Sequence, residues 1–173
     1  GDCPVKVDIA TYKAEFLAHY YEHRIRPRTA YALGLIDLWA RLASAATGVA
    51  NFFTQAPIIS GWMKSLAGIT TERHLPAFAP QTFRAWFDQR GGPQRPDGRA
   101  VLLWPDTFTN YFEPDVGIAA VQVLEHAGFR VELTPAGVCC GRPLYDFGML
   151  EIAKRFARRN LDILGPQLSE GAT

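Results

Sequence analysis

Cysteine is scarce in this chain, with three in 173 residues: Cys3, Cys139 and Cys140. Three are too few for a secreted disulfide framework, and adjacent Cys139 and Cys140 are poorly placed to pair with each other. Reduced thiols in a cytoplasmic setting are therefore expected. Net charge is nearly absent too: 18 Lys and Arg against 17 Asp and Glu leave +1. That balance offers none of the phosphate-neutralising excess on which nucleic-acid binding rests, so no nucleic-acid partner is expected. The apolar stretch from Ala30 to Ile59 is interrupted by Asp37, Arg41, Gly48, Asn51 and Pro57, which denies it the continuity of a membrane span. No signal peptide pattern opens the chain. An initiator methionine is missing as well: the chain begins Gly1-Asp2-Cys3-Pro4 and reads as a piece of something longer.

What is present suits a globular fold. Apolar residues make up 48% and charged residues 20%, enough to bury a core. The first half reads as helices. Asp8 can cap a helix in which Ile9, Tyr12, Phe16, Leu17 and Tyr20 recur at helical spacing. Pro27 ends it, and one further helix is expected through Thr29–Ala46, closing near Gly48. Shorter helices are expected at Val49–Thr54, Ile58–Leu66 and Gln81–Gln89, with Phe52, Phe53, Trp62, Phe83, Trp86 and Phe87 as core. Residues 90–99 (RGGPQRPDGR) have linker composition. Beyond them come a short apolar strand at RAVLLW, a helix opened by Pro114 and closed by Gly128, a strand at FRVELT, and one long amphipathic helix from Leu144. Strand, helix, strand, helix is the start of a parallel α/β sheet. The basic cluster Lys154, Arg155, Arg158 and Arg159 reads as the wet face of that last helix.

In such sheets, sites collect beyond the carboxyl ends of the strands. The loop after the first strand offers Asp106, Thr107 and Asn110; the loop after the second offers Cys139, Cys140 and Arg142. If the strands are parallel neighbours, these loops face one another. Thiolates are soft ligands for iron and zinc, but two cannot complete a four-ligand centre. The bland alternative is a pair of inert, buried cysteines. A helix starting just after them would lower a thiol pKa, making at least one reactive if exposed. Separately, HYYEH (His19–His23) matches the inverted zinc-peptidase pattern, with His19 and His23 on one helix face and Glu22 as base. No third ligand announces itself.

The segment CPVKVDIATYKAEFLAHYYEHRIRP resembles the stretch leaving the second cluster of the ferredoxin-like module in FAD-linked oxidases of the D-lactate and glycolate dehydrogenase type. Similarly, PDTFTNYFEPDVGIAAVQVLEHAGFRVELTPAGVCCGRPLYDFGML resembles the cysteine-rich CCG domain of that group, found also in glycolate and lactate oxidation iron–sulfur subunits and heterodisulfide reductase B subunits. The resemblance implies an α/β architecture: residues 1–90 a helical segment continuing from a 4Fe-4S ferredoxin module, 91–99 a linker, and 100–173 a partial Rossmann-like CCG domain of βαβα order. It implies metal ligation by Cys3, Cys139 and Cys140. In the parent protein it implies FAD and [4Fe-4S] clusters, with none retained in this piece. The implied partners are the remainder of the parent flavoprotein and an electron acceptor (a quinone or carrier protein). The parent would be cytoplasmic or at the inner face of the membrane, oxidising a 2-hydroxy acid, while this piece would relay electrons or play a structural part and be inactive alone. Two departures stand out. Thr107 occupies the place of the pattern's first cysteine, and no C-x-x-C follows the paired cysteines. Apolar residues that would face missing domains could pair two copies.

Overall fold

The computed structural model describes residues 7–169. Cys3 lies outside them, so its ligand role has no structural account. The N-terminal half is a run of helices. Asp8 caps α1 (Ile9–Tyr20), its carboxylate accepting from the Ala10 and Thr11 amides. The expected single helix over Thr29–Ala46 is instead two: α2 (Arg28–Gly34) and α3 (Ile36–Ser44), parted at Leu35, whose backbone leaves the helical region. Then come α4 (Thr47–Gln55), α5 (Pro57–Ala67, with Pro57 at its first turn) and α6 (Phe83–Gln89, capped by Thr82). The irregular connection between α5 and α6 is held by polar anchors. Asn51 exchanges two hydrogen bonds with the Phe78 backbone, and the buried Lys64 amine donates to the Thr71 and Arg73 carbonyls.

The second half is the expected α/β unit. Strands β1 (Arg99–Leu103) and β2 (Phe129–Leu133) pair in parallel, Val101 opposite Val131. Between them lie α7 (Thr107–Tyr111), a short helix where sequence suggested only loop, and α8 (Pro114–His126). Pro114 opens α8 where its missing N–H costs nothing. Gly128, with φ +89°, supplies the left-handed residue that turns the chain into β2. Phe83 and Phe87 of α6 pack with Val121 of α8 and Val131 of β2, so the segment before residues 90–99 contributes half of this core. Arg84 ties the same layers together: its guanidinium donates to the Thr134 and Pro135 carbonyls and the Thr134 hydroxyl.

The last helix is not continuous. It divides into α9 (Arg142–Asp146) and α10 (Leu150–Ser169), broken at Gly148 with φ +67°. The cause is α1: a Cβ at position 148 would lie 2.5 Å from Leu17 Cβ and 2.7 Å from the Ala18 amide. Arg26 then satisfies the carbonyls freed by the break, donating to Phe147 O (2.7 Å) and Gly148 O (2.9 Å). A second core forms here from Ala30, Leu144 and Met149.

Burial corrects the expected core. Phe83 and Phe87 are interior, but Phe52, Phe53 and Trp62 are exposed. So are Ile9, Tyr12, Phe16 and Tyr20, the apolar stripe of α1. Helical spacing identifies a stripe and says nothing about what covers it. Among the described residues, no helix is long and apolar enough to cross a membrane.

Candidate functional site: a thiol cleft

Because β1 and β2 are parallel neighbours, the loops leaving their carboxyl ends meet. Asp106 follows β1 and caps α7, accepting from the Thr109 amide at 2.8 Å. That cap sets Thr107 at the first position of α7, its hydroxyl toward the opposite loop. There it lies 4.0 Å from Cys139 Sγ. The same hydroxyl donates to Asp37 of α3 at 3.1 Å, and Asp37 pairs with Arg41 at 2.6 Å. Asp106, Thr107, Cys139, Cys140, Arg142 and Asp37 all line one cleft of about 250 Å³.

The two thiols are not equivalent. Cys139 is buried and Cys140 exposed. Burial pushes the Cys139 thiol above its usual range, with the Asp37 and Cys140 charges adding to it; a hydrogen bond from the Gly141 amide only partly offsets this. Asn160 of α10 anchors the Cys139 carbonyl at 2.7 Å. The expectation that at least one thiol reacts if exposed therefore rests on Cys140, because Cys139 is buried and its charged form is disfavoured by desolvation. Cys140 is expected to alkylate with iodoacetamide roughly tenfold or more faster than Cys139 at neutral pH. Peptide mapping of a time course measures this; equal rates would mean that Cys139 is not sealed.

The other candidates divide. Arg142 reaches across its own helix to Asp146 at 3.0 Å and stacks over Tyr145. Asn110 is buried away from the cleft, its side-chain oxygen accepting from the Arg84 amide at 3.0 Å, so its work is to join α7 to α6. His19, Glu22 and His23 do not form the expected helical site. α1 ends at Tyr20 and the chain turns, so His19 and His23 straddle a helix end; His19 faces Glu15 at 3.9 Å. Asp37 was missed from sequence. It lies 70 residues from Thr107, and no local signal separates it from an ordinary surface aspartate on α3.

A four-thiolate cluster does not fit the residues present. The cleft offers one buried thiol, one exposed thiol, a hydroxyl, the Asp37 carboxylate already engaged by Arg41, and the Asp106 carboxylate that caps α7. Among the described residues, no group of three or more His, Cys, Asp or Glu is arranged to hold a metal ion.

A small parallel sheet with a paired-cysteine cleft at its carboxyl edge agrees with the oxidoreductase resemblance seen in the sequence, and comparison with known proteins shows the kinship. The chain is 24% identical over 94% of its length to D-2-hydroxyglutarate dehydrogenase of Pantoea ananatis (strain AJ13355). It is 26% identical over 76% of its length to an anaerobic glycerol-3-phosphate dehydrogenase subunit of Escherichia coli (strain K12). A 62-residue stretch is 39% identical to lactate utilization protein A of Bacillus thuringiensis (strain Al Hakam), covering 36% of this chain and 26% of that protein. The chain is thus similar to stretches of these proteins, and it spans 16% of the first one's length and 33% of the second's. No family model matches it. No solved structure matches it either.

Proposed function

We propose that this chain is a portion of an FAD- and iron–sulfur-dependent oxidoreductase that oxidises a 2-hydroxy acid such as D-lactate or glycolate. Within that protein its part is structural. The thiol cleft is a degenerate cluster site that joins α3, α7 and the β2–α9 loop and holds no cluster by itself. One observation carries this reading: Thr107, which stands in the place of the resembled pattern's first cysteine, faces Cys139 at 4.0 Å and spends its proton on Asp37. A ligand position has become a hydrogen-bonded latch. The domains assigned to residues 1–90 and 100–173 are then one support, because Phe83 and Phe87 cross from the first into the core of the second.

The test uses the longer polypeptide containing this stretch. Its flavin absorbance should bleach on anaerobic addition of a D-2-hydroxy acid. A Cys139→Ser/Cys140→Ser variant should bleach at the same rate and reduce an artificial acceptor at the same rate. If the variant bleaches normally but no longer reduces the acceptor, the cleft relays electrons. If no flavin is present, the assignment fails altogether.

A further inference from the structure

Three arginines from three helices converge on the turn that follows β2. Arg84 of α6 donates to the Thr134 and Pro135 carbonyls, so its guanidinium closes over the start of that turn. Arg41 of α3 and Arg159 of α10 reach its end, at Gly137. The place where a Cβ at position 137 would project has Arg159 Nη2 at 2.8 Å and Arg41 Nη1 at 3.6 Å. Both nitrogens therefore lie within 3.6 Å of one point. Gly137, with φ +88°, is what lets them come that close to the backbone.

Like charges held together need a reason, and the described residues supply only part of one. Asp37 pairs with Arg41 at 2.6 Å. Arg84 spends its donors on the two carbonyls and the Thr134 hydroxyl. Arg159 is exposed and has no ion pair among the described residues, whereas Arg90, Arg130 and Arg142 each take a carboxylate. The charges also feel one another: burial first, and then the Arg41 charge, hold the Arg84 guanidinium below its usual range. Three cations against one carboxylate leave positive charge in excess at this turn. The turn lies beyond the carboxyl end of β2, where ligands of α/β sheets collect.

We propose that Arg41 and Arg159 clamp the phosphoryl group of a small phosphate-bearing molecule at this turn. An oxyanion accepts from a guanidinium at ~2.8 Å, and two nitrogens this close can share a single one. Each planar guanidinium presents paired donors that match phosphate oxygens. Charge selects phosphate over carboxylate. A phosphate monoester carries about −1.5 to −2 near neutrality, which matches three cations offset by one carboxylate; a carboxylate ligand would neutralise only half of that excess. Arg84 contributes charge and holds the turn in place, while Arg41 and Arg159 contribute the donors. The assignment is independent of the functional reading above and touches the thiol cleft only through Asp37, which bonds both Arg41 and Thr107.

The experiment titrates the 173-residue chain with inorganic phosphate by calorimetry at neutral pH, with sodium chloride holding ionic strength constant so that screening does not change. Saturable binding of one phosphate per chain is expected, with acetate at least ~10-fold weaker. Arg159→Ala should weaken phosphate binding at least ~10-fold, the loss of a charge-assisted donor, with the melting temperature unchanged. Should Arg159→Ala not fold, Arg159→Gln takes its place with the same expectation. Arg95→Ala, ahead of β1 at the other end of the sheet, should leave the affinity as it was. No saturable binding, or equal affinity in the Arg159 variant, overturns the proposal. An equal loss with Arg95→Ala does so too, because net charge alone then holds the anion. So does acetate binding as tightly as phosphate, since the ligand is then a carboxylate.

Discussion

Gly117→Ala destabilises this chain by up to ~2 kcal/mol, although the same change in an open helix would stabilise it. Gly117 sits within α8, where alanine is favoured over glycine by about 1 kcal/mol. Against this, a Cβ at position 117 would lie 2.6, 2.7 and 2.9 Å from three atoms of the Phe83 ring. Phe83 is fully buried against Phe87, Val121 and Val131, so the ring has nowhere to retreat. Overpacking of this kind typically costs 1–3 kcal/mol, the misplaced ring included. The clash therefore wins over the propensity. Gly61, in α5, has nothing within 4 Å of its own Cβ position, and Gly61→Ala should raise stability by up to ~1 kcal/mol. Urea midpoints of the two variants measure the contrast. A rise in stability with Gly117→Ala would show that α8 does not press on Phe83 as described.

Thr107→Cys is expected to turn this two-thiol cleft into a metal-binding one. The Thr107 hydroxyl and Cys139 sulfur are 4.0 Å apart. Two thiolates on a tetrahedral zinc at ~2.3 Å lie about 3.8 Å from one another, so the spacing is already that of two ligands on one ion. With Cys140 lining the same cleft, the variant offers three thiols where the native chain offers two. A metal also removes the penalty that burial places on the Cys139 thiolate, since a coordinating thiol is deprotonated outright. Cobalt(II) titration should give an intense thiolate-to-metal band with Thr107→Cys and none with the native chain. An equal response in both would mean that Thr107 is irrelevant to the site.

The α/β half was legible in sequence because its signals are local. Pro114 and Gly128 bracket α8, and RAVLL and FRVEL stand as apolar strands between turn residues. Once the strands are parallel, the meeting of the Thr107 and Cys139 loops follows from topology. The helical half was less legible. Between Leu144 and Leu164 the sequence shows no internal fault except Gly148, where a Cβ would meet Leu17, 131 positions earlier. The same limit hid Asp37, whose meaning comes only from Thr107 lying across from it. Phe52, Phe53 and Trp62 read as core because large apolar side chains usually are; here they are exposed. The helices that carry them formed as expected and their burial did not, since burial depends on neighbours that local sequence does not encode.

What this account says of the cleft is decided by anaerobic reconstitution of the native 173-residue chain with ferrous iron and sulfide, followed by desalting and quantitation of both. The predicted result is a colourless protein retaining well under one iron per chain. A brown protein carrying a complete cubane complement, lost on Cys139→Ser, would contradict it.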